Sequence, residues 1–200
     1  MTKLKKLSKN KEPKFKAIIF YGPFAVGKYT VGKKFCDQTD YKFFHVHHTY
    51  DIARSFFERD TINIDRLKEN LFFTVIQELS VANLNFVTTF PYNNNYVSKN
   101  GLSDPIYVKK IESIVKKGGG IAYFVHLNAK PEILLKRISG NSRKKFKKLK
   151  DPKIMKEYLS SDKKIKGWLT PAPVKNNIEI DNSNLTPRQV VKKILEIINK

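Results

Sequence analysis

Unbroken apolar runs alternate along the chain with apolar positions at helical spacing, the rhythm of an α/β domain with a largely parallel sheet. Residues 17–21 are apolar throughout, as expected of a strand covered on both faces. Residues 41–46 predict a second strand, and a helical stretch follows from His47. From Asp65 onward, Leu67, Leu71, Val75 and Leu79 recur at helical spacing and predict a stronger helix with that stripe inward. Residues 85–90 form the next strand, stopped by Pro91 and the polar run Tyr92-Asn93-Asn94-Asn95. A helix over 104–117 ends at three glycines, Gly118 to Gly120, and an apolar strand over 121–127 follows. Pro131 marks the first turn of a helix reaching about Ser139. Residues 177–181 give a short last strand. Thr186-Pro187-Arg188-Gln189 is a capping box that starts a terminal helix with Val190, Ile194 and Ile197 inside. The interval 140–173 holds charges and Trp168 but little strand character.

The first strand breaks into Gly22-Pro23-Phe24-Ala25-Val26-Gly27-Lys28-Tyr29-Thr30, a G-x-x-x-x-G-K loop followed by a helical face carrying Val31 and Phe35. A strand, such a loop and a helix together make a phosphate cradle. The glycines permit the turn, backbone N–H groups surround the phosphates, and Lys28 reaches the outer ones. The pattern predicts binding of ATP or GTP by residues 22–30, with Mg²⁺ as the usual companion. Tyr29 stands directly after the lysine, where the usual pattern has the hydroxyl ligand of Mg²⁺; Thr30, one place later, is the candidate to approach the metal directly or through water.

The shifted form G-K-x-T resembles the loop of adenylate, guanylate and related P-loop kinases. The chain is also similar to a family of bacterial P-loop kinase-like proteins labelled AAA-family or shikimate-kinase-like. That resemblance rests on residues 22–31, on Phe44-His45-Val46-His47-His48-Thr49-Tyr50-Asp51, on residues 142–152 and on residues 180–187. Val46 and Lys147 depart from the pattern, which has Asn and Gly there. The resemblance implies a three-layer α/β/α P-loop NTPase fold with five parallel strands in the order 2-3-1-4-5 and a basic lid. It also implies an acidic residue at Asp51 and, by similarity with nucleotide kinases, a place for Asn182 and Asn184 beside the base.

Composition narrows the reading. Two hundred residues with 40% hydrophobic content suit one domain, expected over 17–200 behind a basic, flexible arm over 1–16. Neither a signal peptide nor a stretch of membrane-spanning length is recognisable, so a cytoplasmic location is expected. The single cysteine, Cys36, excludes an intramolecular disulfide and reads as a small packing residue. A formal charge of +21 attracts polyanions, which keeps nucleic acid among the partners beside a small-molecule acceptor. The same lysine richness accompanies abundant Asn, Ile and Tyr, a bias also found in AT-rich coding.

The strand ends lack the paired acidic residues with which a motor ATPase holds Mg²⁺ and orients water, which favours phosphoryl transfer. For that chemistry Asp51 is the expected carboxylate to engage an acceptor hydroxyl. Arg137 and Arg143, in and before a lid over 140–173, are expected to clamp the transferred group, and Trp168 to pack beneath it. Residues 49–64 and 91–105 are the segments from which an acceptor pocket would be built. Two further readings stand beside the small-molecule kinase: a polynucleotide kinase acting on RNA or DNA ends, and a non-catalytic nucleotide- or nucleic-acid-binding protein that has kept the loop. His45 and His47 share a strand face, but no acidic or sulfur ligand lies near them in sequence, so contact or packing roles are expected.

Overall fold

A computed structural model describes residues 12–138 and 152–199. The elements run β1 (Lys16–Tyr21), α1 (Lys28–Cys36), β2 (Lys42–His45), α2 (His47–Arg54), α3 (Ile62–Val81), β3 (Phe86–Phe90), α4 (Asp104–Lys117), β4 (Ile121–Asn128), α5 (Pro131–Ile138), α6 (Pro152–Ser160), α7 (Asp162–Leu169), β5 (Asn177–Asp181) and α8 (Pro187–Ile198). The strands form one parallel sheet in the order β2-β3-β1-β4-β5, as the resemblance implied. Strand β1 lies at the centre and is buried from Ala17 to Tyr21, which is why it reads as a continuous apolar run.

Each face of the sheet is covered by a separate apolar layer. On one, Ile18, Phe20, Val87 and Val125 pack with Val31 and Phe35 of α1 and Val190 and Ile194 of α8. On the other, Ile19, Tyr21, Phe86 and Phe124 pack with Phe72 and Ile76 of α3 and Val108 and Ile111 of α4. Helix α8 begins with the capping box the sequence announces: Gln189 N–H donates to Thr186 Oγ1 at 3.3 Å, and Thr186 N–H to Gln189 Oε1 at 2.8 Å.

Three expectations shift. Helix α3 starts at Ile62 rather than Asp65, because Thr61 caps it by accepting from Ile64 N–H. Its inward stripe is Ile64, Asp65, Glu69, Phe72, Phe73 and Ile76, while Leu67, Leu71, Val75 and Leu79 are only half-buried. The N-terminal part of that stripe leaves the apolar layer, so two carboxylates occupy positions that would otherwise be core. The expected arm does not extend to Lys16. Phe15 is buried, its ring filling the space beside Gly120, and Lys14 N–H donates to Gly119 O at 3.0 Å.

The stretch 152–169, expected as part of a lid, forms α6 and α7, and its C-terminal end is tied to the sheet. Gly167 O accepts from Asn94 N–H at 2.8 Å, and Trp168 O lies 2.9 Å from His126 Nε2. Gly167 has no room for a side chain, since a Cβ there would stand 2.1 Å from Asn93 Oδ1. Burial holds His126 below the usual imidazole range, so at neutral pH the ring is uncharged and its Nε2–H donates to Trp168 O. Among the described residues no helix is long and apolar enough to cross a membrane.

Candidate functional site

A cleft of about 1630 Å³ opens at the carboxyl ends of β1, β2 and β3, where ligands bind in open parallel sheets. Residues 24–31 form one wall. Gly22 turns the chain out of β1 at φ +125°, and its bare Cα is required: a Cβ would stand 2.3 Å from Leu127 O of the neighbouring strand. Gly27, at φ +102°, starts α1 with no side-chain cap and no acidic residue in the first turn. That helix end therefore presents its N–H groups and the positive end of its dipole to the cleft. Lys28 folds back over the loop, donating from Nζ to Gly22 O at 2.7 Å and Pro23 O at 2.8 Å.

The loop is braced from behind. Asn182 donates to Val26 O at 2.8 Å, and Arg137 donates to Asn182 Oδ1 at 3.0 Å, to Asn182 O at 2.8 Å and to Val26 O at 3.3 Å. Tyr29 turns sideways: its ring meets Phe43 at 5.4 Å and His45 at 5.0 Å, both on β2. Because the position after the lysine faces the second strand, a bulky aromatic fits there, and the exposed Thr30 contributes the aliphatic hydroxyl of the wall formed by residues 24–31. Such a donor set, one hydroxyl beside a phosphate loop, fits Mg²⁺ held chiefly by phosphate oxygens and water.

The opposite wall is acidic. Asp65, Glu69 and Asp104 are 4%, 3% and 4% exposed, and all three line the cleft. Asp65 is paired with Lys68 and accepts from Lys99 N–H at 2.7 Å. Glu69 Oε2 accepts from Asn100 Nδ2 at 2.9 Å, and Asp104 Oδ2 from Asn93 N–H at 2.7 Å. Burial pushes the Asp104 carboxyl up to about 7; the Asn93 hydrogen bond and Lys68 oppose the rise, and Glu69 adds to it. On the floor, at the end of β3, Thr89 is 1% exposed and its Oγ1 has no hydrogen-bond partner among the described residues.

The residues singled out by sequence do not all converge. Residues 24–30 line the cleft, whereas Gly22 and Pro23 are buried and serve it through the carbonyls that hold Lys28. Asn182 and Arg137 line it, but both are occupied in bracing the loop rather than presented to a base or a transferred group. Asn184 is exposed and away from the cleft lining. Asp51 sits on the solvent side of α2, where it is exposed and not among the cleft residues, while Thr49 and Tyr50 of that helix are. The direction is set by α2, whose buried positions are Thr49 and Ala53. Arg143 lies outside the described residues. Asp104 falls within the 91–105 segment expected to build an acceptor pocket, whereas Asp65 and Glu69 were missed; the available signal for these two was an i, i+4 carboxylate pair in register with Phe72, Phe73 and Ile76.

No family model matches the chain, and no curated protein matches it in sequence. Solved structures are similar in three dimensions. A sugar kinase from Janibacter sp. HTCC2649 superposes with a TM-score of 0.62 at 13% identity, over 92% of this chain and 95% of that one. A gluconokinase from Sinorhizobium meliloti 1021 does so with a TM-score of 0.57 at 11% identity, over 93% and 92%. Shikimate kinase from Aquifex aeolicus gives a TM-score of 0.51 at 17% identity, over 92% and 96%. With its phosphate loop, uncapped helix and strand order, the chain has the shikimate-kinase-like fold of the P-loop kinases.

Proposed function

We propose that the protein is an ATP- and Mg²⁺-dependent kinase that transfers the γ-phosphoryl group to a small hydroxyl- or phosphate-bearing acceptor held in the same cleft. The observation that carries this reading is one cleft with the glycine-lysine loop on one wall and a pocket of polar and aromatic side chains on the other. Lys28 and the first N–H groups of α1 hold the phosphates, and Thr30 approaches the metal. Thr30 would be the residue beside Mg²⁺, which would supply neutralisation of the charge developing on the phosphate oxygens. Arg137 and Asn182 keep the loop in place through the Val26 carbonyl, so the phosphates meet donors that need no reorganisation. The small-molecule kinases with the same fold support a small acceptor.

Lys28→Ala is the direct test. Lys28 belongs to neither apolar layer of the core, so the fold is expected to stay intact. Transfer of labelled γ-phosphate is expected to drop by about 100-fold or more, the scale of removing one preorganised donor to developing charge. Unchanged turnover in that variant, with circular dichroism confirming the fold, would overturn the assignment.

A further inference from the structure

The acceptor wall differs in sign from everything around it. The chain carries a formal charge of +21, yet three of its carboxylates are buried together in this cleft. Lys68 is paired with Asp65 and also acts on Asp104, and Arg59 lines the cleft from an exposed position, so among the described residues Glu69 and Asp104 form no ion pair of their own. Each uses one oxygen to accept a hydrogen bond from the 93–100 loop, and the second oxygen of each takes no hydrogen bond from a described residue. Thr89 Oγ1 is likewise without a partner, and Thr89 lines the same cleft from the end of β3. Buried polar groups are normally satisfied, so a buried, unpartnered hydroxyl in a cleft marks a place for a ligand atom.

We infer that the acceptor is a hydroxyl compound without negative charge, a polyol or amino-alcohol, and that Asp104 accepts the hydrogen bond of its reacting hydroxyl. This rests on the kinase reading and decides within it between hydroxyl-bearing and phosphate-bearing acceptors. A carboxylate pair in a low-dielectric pocket repels a phosphate monoester or an RNA end and attracts hydroxyl and ammonium donors. In the transfer, the acceptor oxygen bonds to the γ-phosphorus and the bond from that phosphorus to the bridging oxygen breaks. The electron pair leaves on ADP, and the hydroxyl proton passes to Asp104. A carboxylate that titrates near neutrality suits the step, since a substantial fraction is ionised near neutral pH and is still basic enough to take the proton. The groups that face it are Lys68 and Glu69 of α3, Tyr92 and Tyr96 of the loop and Tyr107 of α4.

The experiment offers γ-labelled ATP and Mg²⁺ with two acceptor pools. One holds glucose, inositol, glycerol and glucosamine; the other holds glucose 6-phosphate, glycerol 3-phosphate, AMP and a short RNA. Label is expected in the first pool at no less than about tenfold excess. With the labelled acceptor in hand, kcat/KM is expected to rise with pH through about 7. Asp104→Asn is expected to lower it by about 100-fold or more and abolish that rise, with ATP affinity unchanged. Glu69→Gln removes the charge that helps hold Asp104 up, so the rise moves to lower pH, a shift that a purely structural role would not produce. Label in the phosphorylated pool, or an acid limb unmoved by Glu69→Gln, overturns this inference and leaves the kinase reading standing. Failure to bind ATP, or bound ATP with label in neither pool, overturns both.

Discussion

The two walls of the cleft are built by opposite means. The wall of residues 24–31 is contiguous in sequence and braced by Asn182 and Arg137 on the Val26 carbonyl. Across from it, side chains from α3, the 93–100 loop and α4 converge, and their charge is negative where the rest of the chain is basic. A phosphate loop recognises a group common to every nucleotide, so one local backbone solution serves. An acceptor is recognised by its own shape and charge, and that takes side chains from distant segments. The halves also differ in their cost to stability. On the phosphate side α1 merely forgoes a cap, whereas Asp104 is buried at a position where ionisation opposes folding.

The contrast can be broken at its backbone end first. Gly22→Ala places a methyl 2.3 Å from Leu127 O at φ +125°, so either β4 or the loop must move. A loss of about 3 kcal/mol in chemical denaturation is expected, with ATP binding lost as well. At the side-chain end the effect has the opposite sign. The folded carboxyl of Asp104 titrates near 7 against 3.8 for the ordinary group, so between those values the native state holds a proton that the unfolded chain has released. Stability therefore falls as pH rises through that window, and the penalty is fully present above about 7. Asp104→Asn keeps the acceptor oxygen for Asn93 N–H and removes the penalty. At pH 8 the variant is expected to be the more stable protein, by up to about 4 kcal/mol, even as it loses turnover. Denaturation midpoints at pH 5 and pH 8 check the sign, because the difference between variant and wild type should shrink at the lower pH. Asp51→Asn, on the exposed side of α2, has the smallest expected effect, within about twofold in kcat/KM. A loss there as large as that of Asp104→Asn would restore Asp51 to the machinery.

Much of the fold is readable from the chain. Strand β1 is buried on both faces and reads as an apolar run; α4 and β5 fall where their boundary residues place them; and the α8 capping box forms as spelled. These features are local, set by two to five consecutive residues. Helix α3 was harder, because two apolar stripes compete in its sequence. Leu67, Leu71, Val75 and Leu79 make the cleaner helical series, but the aromatic stripe through Phe72, Phe73 and Ile76 faces the sheet because Phe44, Phe86 and Tyr107 surround it there. Choosing the leucine stripe rotates the helix and turns Asp65 and Glu69 outward on paper.

The sequence by itself determined the phosphate wall. A strand, two glycines with positive φ, a lysine and a helix start follow one another within about four turns' length of chain, and neighbouring residues cannot avoid meeting. Only the tertiary structure decided the acidic wall. Asp65 and Glu69 reach Asp104 because α3 and α4 pack side by side on one face of the sheet, and the direction of Asp51 was decided by which face of α2 is buried. Side-chain burial depends on partners tens of residues away in sequence. A carboxylate that local pattern marks as solvated therefore becomes part of a site only once the helices carrying it have docked.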